Sequence, residues 1–280
     1  GFTRRLQESF AACRISGRGK SAMRNTPMKK ATLMLEDGSS YEGLSFGSGQ
    51  WASGEVVFNT GMVGYPESLT DPSYRGQILC FTYPLIGNYG VPADALEDGL
   101  SIFFESERIQ VRGVVVSSRI EEYSHWNASC SFSEWLARQG IPGICGIDTR
   151  SLTKKLRSKG TMRGRIVPGG AAAGPPAAAS RAAGKSAGAP AGGEARGAAS
   201  AFEPPAGNLV GEVSIRERIV YEKGPKRVVI VDCGVKNNII RAFLRRGITV
   251  VRVPWDHDFN AERADGIVLS NGPGDPKKCR

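Results

Sequence analysis

The clearest pattern of hydrophobic and polar positions lies between residues 226 and 276. An unbroken apolar run, Val228 to Val231, is typical of a strand buried on both faces of a parallel sheet. The residues after it predict a helix that ends with Gly247 at its C′ position. The apolar face of this helix would carry Ile239, Ile240, Phe243 and Leu244, and the opposite, basic face would carry Arg241, Arg245 and Arg246. Two further strands are predicted at 248–253 and 266–269. The alternation predicts an α/β fold, with βαβ units in an open, mostly parallel, doubly wound sheet.

The region from Lys29 to Arg119 is rich in short apolar segments. Strands are predicted at five places: 31–35, 40–44, 54–58, 77–82 and 113–117. The first two flank an Asp-Gly turn and predict a hairpin. Residues 71–74, Asp-Pro-Ser-Tyr, favour a type I turn. Two helices should follow, one over 131–139 and one that Asp148 caps and Gly160 ends, with Leu152 and Leu156 pointing inward.

Composition separates the chain into four segments. Residues 168–208 are dominated by Ala, Gly and Pro, and only Phe202 among them offers a large apolar side chain, so we predict a disordered insertion. The first 28 residues are basic and fit a transit peptide, a disordered arm or sequence from an imperfect gene model. The predicted segments are a basic arm (1–28), a strand-rich α/β domain (29–167), the insertion (168–208) and a second domain (209–280).

The net charge of +10 does not indicate nucleic-acid binding, because most of it lies in the first 30 residues. Residues 1–30 carry eight Lys or Arg residues against one acid, which leaves +3 for the other 250 residues. No apolar run approaches the roughly 20 residues that a membrane helix needs. We therefore expect neither a nucleic acid nor a membrane as a partner.

The cysteines and histidines do not follow a metal-site or disulfide pattern. Six cysteines are scattered without a CxxC pair, which favours free thiols in a reducing compartment: Cys13, Cys80, Cys130, Cys145, Cys233 and Cys279. The adjacent residues Asp256, His257 and Asp258 cannot easily all face one ion, so we interpret them as a polar loop. The turn after Val231 lacks the GxGxxG of a dinucleotide site. No metal and no cofactor are expected in this segment.

The last predicted strand runs directly into residues 270–276, Ser-Asn-Gly-Pro-Gly-Asp-Pro. In open α/β sheets, ligands bind beyond the carboxyl ends of the strands. Two glycines on either side of a proline form a rigid turn with exposed backbone N–H groups, which suits an oxyanion or a carboxylate. From these residues alone, a tight strand-to-helix turn without a ligand is the alternative interpretation.

Several long motifs resemble one enzyme family. VDCGVKNNIIR, VPWDHDF and GIVLSNGPGDP resemble the start of the class I (triad-type) glutamine amidotransferase domain of carbamoyl-phosphate synthases, above all the eukaryotic enzymes in which this domain is fused to the synthetase. Residues 54–90, LEDGSSYEGLSFG before them and GIDTRSLTKKLRSKG after them resemble the N-terminal domain of the small chain of the same enzymes. The resemblance covers about residues 29–167 and 209–276.

The resemblance implies a binding site for glutamine. In that family, the backbone N–H of the glycine matching Gly272 helps to stabilise the tetrahedral oxyanion, and the glycine matching Gly274 lines the same pocket. The serine matching Ser73 reaches from the N-terminal domain to the bound glutamine. Spacing alone would make Ser73 a turn residue whose hydroxyl satisfies its own loop.

The resemblance also implies what the intact enzyme does. The family hydrolyses glutamine with a Cys nucleophile, a His and a Glu, and passes ammonia to a synthetase that uses bicarbonate, ATP and Mg²⁺ to make carbamoyl phosphate for pyrimidines or arginine. None of the six cysteines lies at the nucleophile's position, so we expect the triad beyond Arg280 and an amino-terminal fragment that is inactive alone. The expected partners are glutamine and the synthetase domains, fused or on a separate large chain. The expected location is the cytoplasm, with mitochondria as the alternative.

Two other interpretations stay open. The chain could be a non-catalytic docking or regulatory module of a synthase. It could also come from the mitochondrial, ammonia-dependent synthase, which retains the amidotransferase region but has lost the nucleophile. Relatives of that type tend to depart from SNGPGDP, which is intact in this chain.

Overall fold

The computed structural model describes residues 29–169 and 207–278. The predictions for the basic arm, for most of the insertion and for Cys13 and Cys279 fall on residues outside this part of the chain. Within it, the α/β prediction is confirmed, and two bodies of structure follow each other along the chain.

The first body is built around a closed barrel. Residues 29–169 contain eleven strands: β1 Lys30–Leu35, β2 Ser40–Gly47, β3 Ala52–Asn59, β4 Gln77–Phe81, β5 Val91–Pro92, β6 Leu96–Glu97, β7 Leu100–Ser101, β8 Gly113–Val115, β9 Ala128–Cys130, β10 Pro142–Cys145 and β11 Met162–Pro168. Seven of them close in the order β1-β11-β3-β4-β8-β10-β2. The β1–β2 hairpin and the other predicted strands are confirmed. The parallel pairs β3–β4, β4–β8 and β8–β10 had no signal in the sequence.

Three helices pack on this barrel: α1 Tyr65–Thr70, α2 Phe132–Arg138 and α3 Thr149–Lys159. The predicted cap of α3 is confirmed, since the Asp148 carboxylate accepts a hydrogen bond from the backbone N–H of Ser151. Gly160 ends the helix with a φ of 86°. Leu152 and Leu156 are buried, as their spacing predicted. These two leucines pack into one of the two cores of this body.

The side chains of β4 point alternately into the two cores of the first body. Ile78 and Cys80 lie in the core that α3 covers, together with residues from most of the barrel strands. Leu79 and Phe81 point to the other face, where they pack with side chains from α1 and α2. The period of two that places neighbouring side chains on opposite faces therefore gives β4 two buried faces.

The thiol of Cys80 should be chemically inert in the native protein. Cys80 is 0% exposed, and burial raises its pKa to about 12. At pH 8 only about one thiol in ten thousand would then be ionised, and the thiolate is the reactive form. We expect native Cys80 to resist iodoacetamide while the half-buried Cys233 is labelled first, as measured by peptide mass spectrometry. Equal labelling rates without urea would show that the barrel core opens readily.

The second body is a four-stranded sheet with two helices. Its elements are α4 Leu209–Val213, β12 Ile219–Tyr221, β13 Arg227–Asp232, α5 Asn237–Leu244, β14 Thr249–Pro254 and β15 Gly266–Leu269. The strand order is β12-β14-β13-β15, with β13 parallel to both neighbours and β12 antiparallel at the edge. This matches the predicted open, mostly parallel sheet. The N–H of Gly247 donates to Leu244 and that of Ile248 to Phe243, which makes Gly247 the C′ residue of a Schellman motif, as predicted.

The predicted position of Arg241 was wrong. Arg245 and Arg246 are exposed, but Arg241 is only 7% exposed and lies on the buried face of α5. Its guanidinium donates to the backbone carbonyl of Ser101 and lies 3.9 Å from the carboxylate of Glu105. Helical spacing alone would have placed the Arg241 guanidinium in solvent. Its burial is compensated by the acceptors that Ser101 and Glu105 of the first body provide.

The edges of the predicted insertion also differ slightly from the structure. Pro168, assigned to the insertion, is the last residue of β11 and pairs with Ala31. Asn208, at the other edge, caps α4 through its side-chain oxygen, which accepts from the N–H groups of Val210 and Gly211. Both residues belong to the folded bodies because their partners lie there.

Candidate functional site

The loop after β15 lies against the turn after β13, because the two strands are parallel neighbours. The N–H of Ser270 donates to the carbonyl of Val231 over 3.1 Å. The Ser270 hydroxyl in turn accepts from the N–H of Cys233 at 2.9 Å and donates to the Asn271 carbonyl at 2.9 Å. One serine thus fixes the start of the loop to the carboxyl end of the sheet, where the sequence predicted a site.

Gly272 fits this position because it has no side chain. A Cβ added to Gly272 would overlap the carbonyl oxygen of Cys233 and lie 2.9 Å from its carbonyl carbon. Gly272 itself is exposed, and among the described residues its N–H has no hydrogen-bond acceptor. Gly274 has a φ of 80°, a conformation that favours glycine. The loop therefore offers a free backbone donor held against a rigid turn.

Ser73 reaches this loop from the first body. It lies in a short 3₁₀ turn, Pro72–Tyr74, where its N–H donates to the Asp71 carboxylate at 2.9 Å. The Ser73 hydroxyl lies 2.8 Å from Nδ2 of Asn271, the residue that precedes Gly272. The structure thus brings together Ser73 and the loop of Gly272 and Gly274, which are about 200 residues apart in the sequence.

An ion pair closes the same contact from the other side. The ammonium of Lys236, in the turn before α5, lies 2.7 Å from the Asp71 carboxylate, which is 9% exposed. Burial alone would lower the pKa of Lys236, but the hydrogen bond and charge of Asp71 outweigh it and raise the pKa, with help from Glu105. Asp71 therefore binds Ser73 with one oxygen and Lys236 with the other.

Helix α4, for which no helix was predicted, lies beside the loop and faces the first body. A Cβ added at Gly76 would be 3.5 Å from Leu209, and one added at Gly274 would be 3.6 Å from the same side chain. Glu212 forms a salt bridge of 2.9 Å with Arg75. The capping residue Asn208 was the one local signal for this helix, and its five residues are too few for a periodic pattern.

Asp232 ends β13 and supports the loop without belonging to it. The sequence indicated only that the chain turns here. Its carboxylate is 0% exposed and accepts five hydrogen bonds. The donors are the N–H groups of Ile215, Gly234 and Val235 and two guanidinium nitrogens of Arg252, all within 2.9 Å. A buried carboxylate that accepts this many hydrogen bonds fixes the segments that carry the donors.

Glu105 of the first body caps helix α5 of the second. The N–H of Asn237 donates to the Glu105 carbonyl at 3.0 Å, and the N–H of Asn238 donates to the Glu105 carboxylate at 2.9 Å. An acidic group at a helix N-terminus satisfies its unpaired N–H groups and suits its dipole. The two bodies are therefore joined at Lys236 and at the two residues that follow it.

The other candidate groups form no further site in this part of the chain. Within residues 29–169 and 207–278, no three His, Cys, Asp or Glu residues are close enough to hold a metal ion. His257 lies 3.2 Å from the Glu262 carboxylate, in the loop predicted to be polar. None of the helices in these described residues is long and apolar enough to cross a membrane.

Comparisons with known proteins agree with this arrangement of domains. The family described as carbamoyl-phosphate synthase small chain, CPSase domain, matches residues 33–166, and glutamine amidotransferase class-I matches residues 229–280. The chain is 46% identical over 275 residues to multifunctional protein ura1 of Schizosaccharomyces pombe, with 90% of this chain and 12% of the relative covered.

Two other relatives show the range of similar proteins. Multifunctional protein CAD of Squalus acanthias is 46% identical over 252 residues, which cover 89% of this chain and 10% of that protein. Carbamoyl-phosphate synthase [ammonia], mitochondrial, of Homo sapiens is 44% identical over 249 residues, which cover 88% of this chain and 15% of that protein. The chain spans about a tenth to a sixth of the length of such relatives. It belongs to the carbamoyl-phosphate synthase small-chain family, and it carries the CPSase domain of that family followed by part of a class I glutamine amidotransferase domain.

Proposed function

We propose that this chain forms the glutamine-binding side of a glutamine-hydrolysing carbamoyl-phosphate synthase. Glutamine would bind between the barrel and the loop of residues 270–276. The N–H of Gly272 would donate to the oxyanion, Gly274 would line the pocket, and Ser73 would contact the substrate. The observation that carries the proposal is the 2.8 Å contact between Ser73 and Asn271, because it puts a hydroxyl of the barrel domain beside the loop that carries Gly272 and Gly274.

The chemistry of the loop supports this role for Gly272. A donor to the oxyanion must be held in place before the reaction, since a mobile N–H would lose much of its effect to reorganisation. The loop is fixed by Ser270, and the unpaired N–H of Gly272 is the kind of group that a developing negative charge requires. One such donor contributes roughly two to three powers of ten in rate.

Ammonia released from glutamine would pass to synthetase domains that use bicarbonate, ATP and Mg²⁺. The multifunctional relatives support a fused synthetase and pyrimidine synthesis, and with them a cytoplasmic location. The relatives named as mitochondrial and ammonia-dependent are nearly as similar, so overall identity does not separate the two types. The intact SNGPGDP loop favours the glutamine-dependent type. A docking module without catalysis would have no use for the unpaired N–H of Gly272 that the loop holds in place, which disfavours that alternative.

Thioester trapping would test the proposed reaction. With labelled glutamine, we expect the full-length gene product to form an acid-stable, hydroxylamine-sensitive adduct on a cysteine, whereas the 280-residue chain should form none. The reason is that none of the described cysteines lies in a nucleophile turn with a histidine base. An adduct on the 280-residue chain would refute its predicted inactivity, and no adduct on the full-length gene product would refute the glutaminase proposal.

The size of the native polypeptide distinguishes the proposal from the docking alternative. An antibody to residues 29–160 should detect a band far larger than 30 kDa if the synthetase is fused. A native band near the 29.9 kDa of this chain would instead favour a docking module.

A further inference from the structure

The side chain of Asn271 determines whether the hydroxyl of Ser73 donates or accepts in the hydrogen bond between them. Nδ2 of Asn271 lies 2.8 Å from Ser73 Oγ and 3.3 Å from the carbonyl oxygen of Gly234. A carbonyl oxygen can only accept, so the amide atom that faces it must be the nitrogen. The reversed amide would set two oxygen acceptors against each other. The neighbour Gly234 therefore fixes the orientation of the Asn271 amide.

This orientation makes Ser73 the acceptor in its bond with Asn271. The amide nitrogen has hydrogens to donate and no lone pair to accept with, so the proton between the two side chains comes from Asn271. The hydrogen of the Ser73 hydroxyl is left over, and within residues 29–169 and 207–278 it has no acceptor. Asp71 binds the backbone N–H of Ser73, not its side chain. The Ser73 hydroxyl is thus fixed in place with its hydrogen still available to donate.

Stability does not explain this arrangement. Oδ1 of Asn271 is buried and has no partner among the described residues. A buried acceptor without a donor destabilises a fold, and such groups are uncommon in native structures. The side chain that leaves this oxygen unsatisfied is the same one that orients Ser73, which points to a functional reason for the residue.

We propose that Asn271 is a positioning residue that keeps the Ser73 hydroxyl as a donor to the substrate. This inference rests on the proposed function, because it assigns Asn271 to the same glutamine cleft. It also restricts what Ser73 can recognise. A serine whose oxygen already accepts from Asn271 presents its hydrogen, and the group that this hydrogen binds is a carboxylate or carbonyl oxygen of the substrate.

A double-mutant cycle on glutamine hydrolysis by the full-length gene product tests this role. Loss of one neutral hydrogen bond to the substrate corresponds to roughly a 3- to 10-fold change, which we expect for S73A as an increase in KM. N271A should raise KM by a similar factor in the wild-type background and by less than about twofold in the S73A background. A merely structural role would give independent effects that multiply, and that result would overturn the inference.

The variant N271D makes the test sharper, because it keeps the shape of the side chain. A carboxylate cannot donate, so Ser73 would donate to Asp at this position and its hydrogen would be withdrawn from the cleft. We expect N271D to raise KM at least as much as N271A while Ser73 is present. The carboxylate would also face the Gly234 carbonyl in either background, so the coupling to Ser73 is measured with N271A alone. N238A is the matched control, since Asn238 is exposed and lies outside the loop.

The outcomes separate this inference from the proposed function. If S73A raises KM but N271A has the same effect with and without Ser73, only the role of Asn271 is refuted. If S73A leaves KM unchanged, the substrate contact of Ser73 is refuted and the inference falls with it. Glutamine dissociation constants measured by calorimetry keep the test valid for variants that lose turnover. Thermal unfolding of each variant identifies any general loss of folding.

Discussion

Replacing Gly272 by alanine is expected to reduce glutamine hydrolysis by the full-length gene product at least about 100-fold. The added Cβ would overlap the carbonyl oxygen of Cys233, and the turn that carries this carbonyl is itself held in place. Cys233 is held by the Ser270 hydroxyl, and the residue after it, Gly234, by the Asp232 carboxylate. The loop must therefore shift away from the turn and carry the N–H of Gly272 with it. An oxyanion donor that is displaced contributes little, and loss of one such donor costs roughly two to three powers of ten in rate.

Gly266→Ala is the matched control for this prediction. Gly266 begins β15, the strand that leads to the loop, and a Cβ there would lie 3.8 Å from Val228, an ordinary contact. Its rate of glutamine hydrolysis should stay within about twofold of wild type. Steady-state kinetics, with circular dichroism to confirm folding, would compare the two variants. A folded G272A protein that retains full kcat would show that Gly272 is not the oxyanion donor.

The sequence predicts the second body well because its signals are local. The apolar run of β13, the helical spacing of α5 and the C′ glycine that ends it are each written within a few neighbouring residues. The same holds for the loop of Gly272, since a strand that ends in a rigid glycine turn is recognisable without knowing its neighbours. The loop therefore lies where the sequence predicted it, at the carboxyl edge of the sheet.

Arg241 shows why the contacts between the bodies could not be predicted. A long cationic side chain on a predicted helix is placed in solvent by default, because burying its charge is unfavourable without partners. Its partners are the carbonyl of Ser101 and the carboxylate of Glu105, which lie about 140 residues earlier. No pattern near Arg241 in the sequence predicts these partners. The barrel presents the same difficulty, since its parallel neighbours are joined by long connections.

Ser73 lies between these two cases. Turn chemistry predicted the local structure, and Asp71 does accept from the N–H of Ser73. Its place beside the loop came only from resemblance to a family, because pairing across 198 residues leaves no local pattern. Asn271 was overlooked for a related reason. Its role depends on where Gly234 and Ser73 stand in space, and an Asn in a glycine-rich turn is ordinary.

Replacing Asp232 by alanine is expected to destabilise the second body by about 3–5 kcal/mol, the usual result of breaking a buried ion pair from one side. The change would leave the Arg252 guanidinium, 12% exposed, without its partner. It would also remove the acceptor of three backbone N–H groups, those of Ile215, Gly234 and Val235. Urea unfolding of the 280-residue chain measures the loss. The exposed pair of Glu134 and Arg138 supplies the control, since E134Q should change stability by less than about 0.5 kcal/mol.

Removing Arg252 as well distinguishes a stranded charge from a simple loss of contacts. If the unpaired guanidinium is the main penalty, the D232A/R252A protein should be more stable than the sum of the single losses predicts, by about 1–3 kcal/mol. Strict additivity would contradict that explanation. In the full-length gene product, a folded D232A variant should hydrolyse glutamine more slowly than wild type, because Asp232 holds the turn whose carbonyls contact Gly272 and Asn271. Stability and catalysis then depend on the same carboxylate, although it is completely buried and cannot touch the substrate.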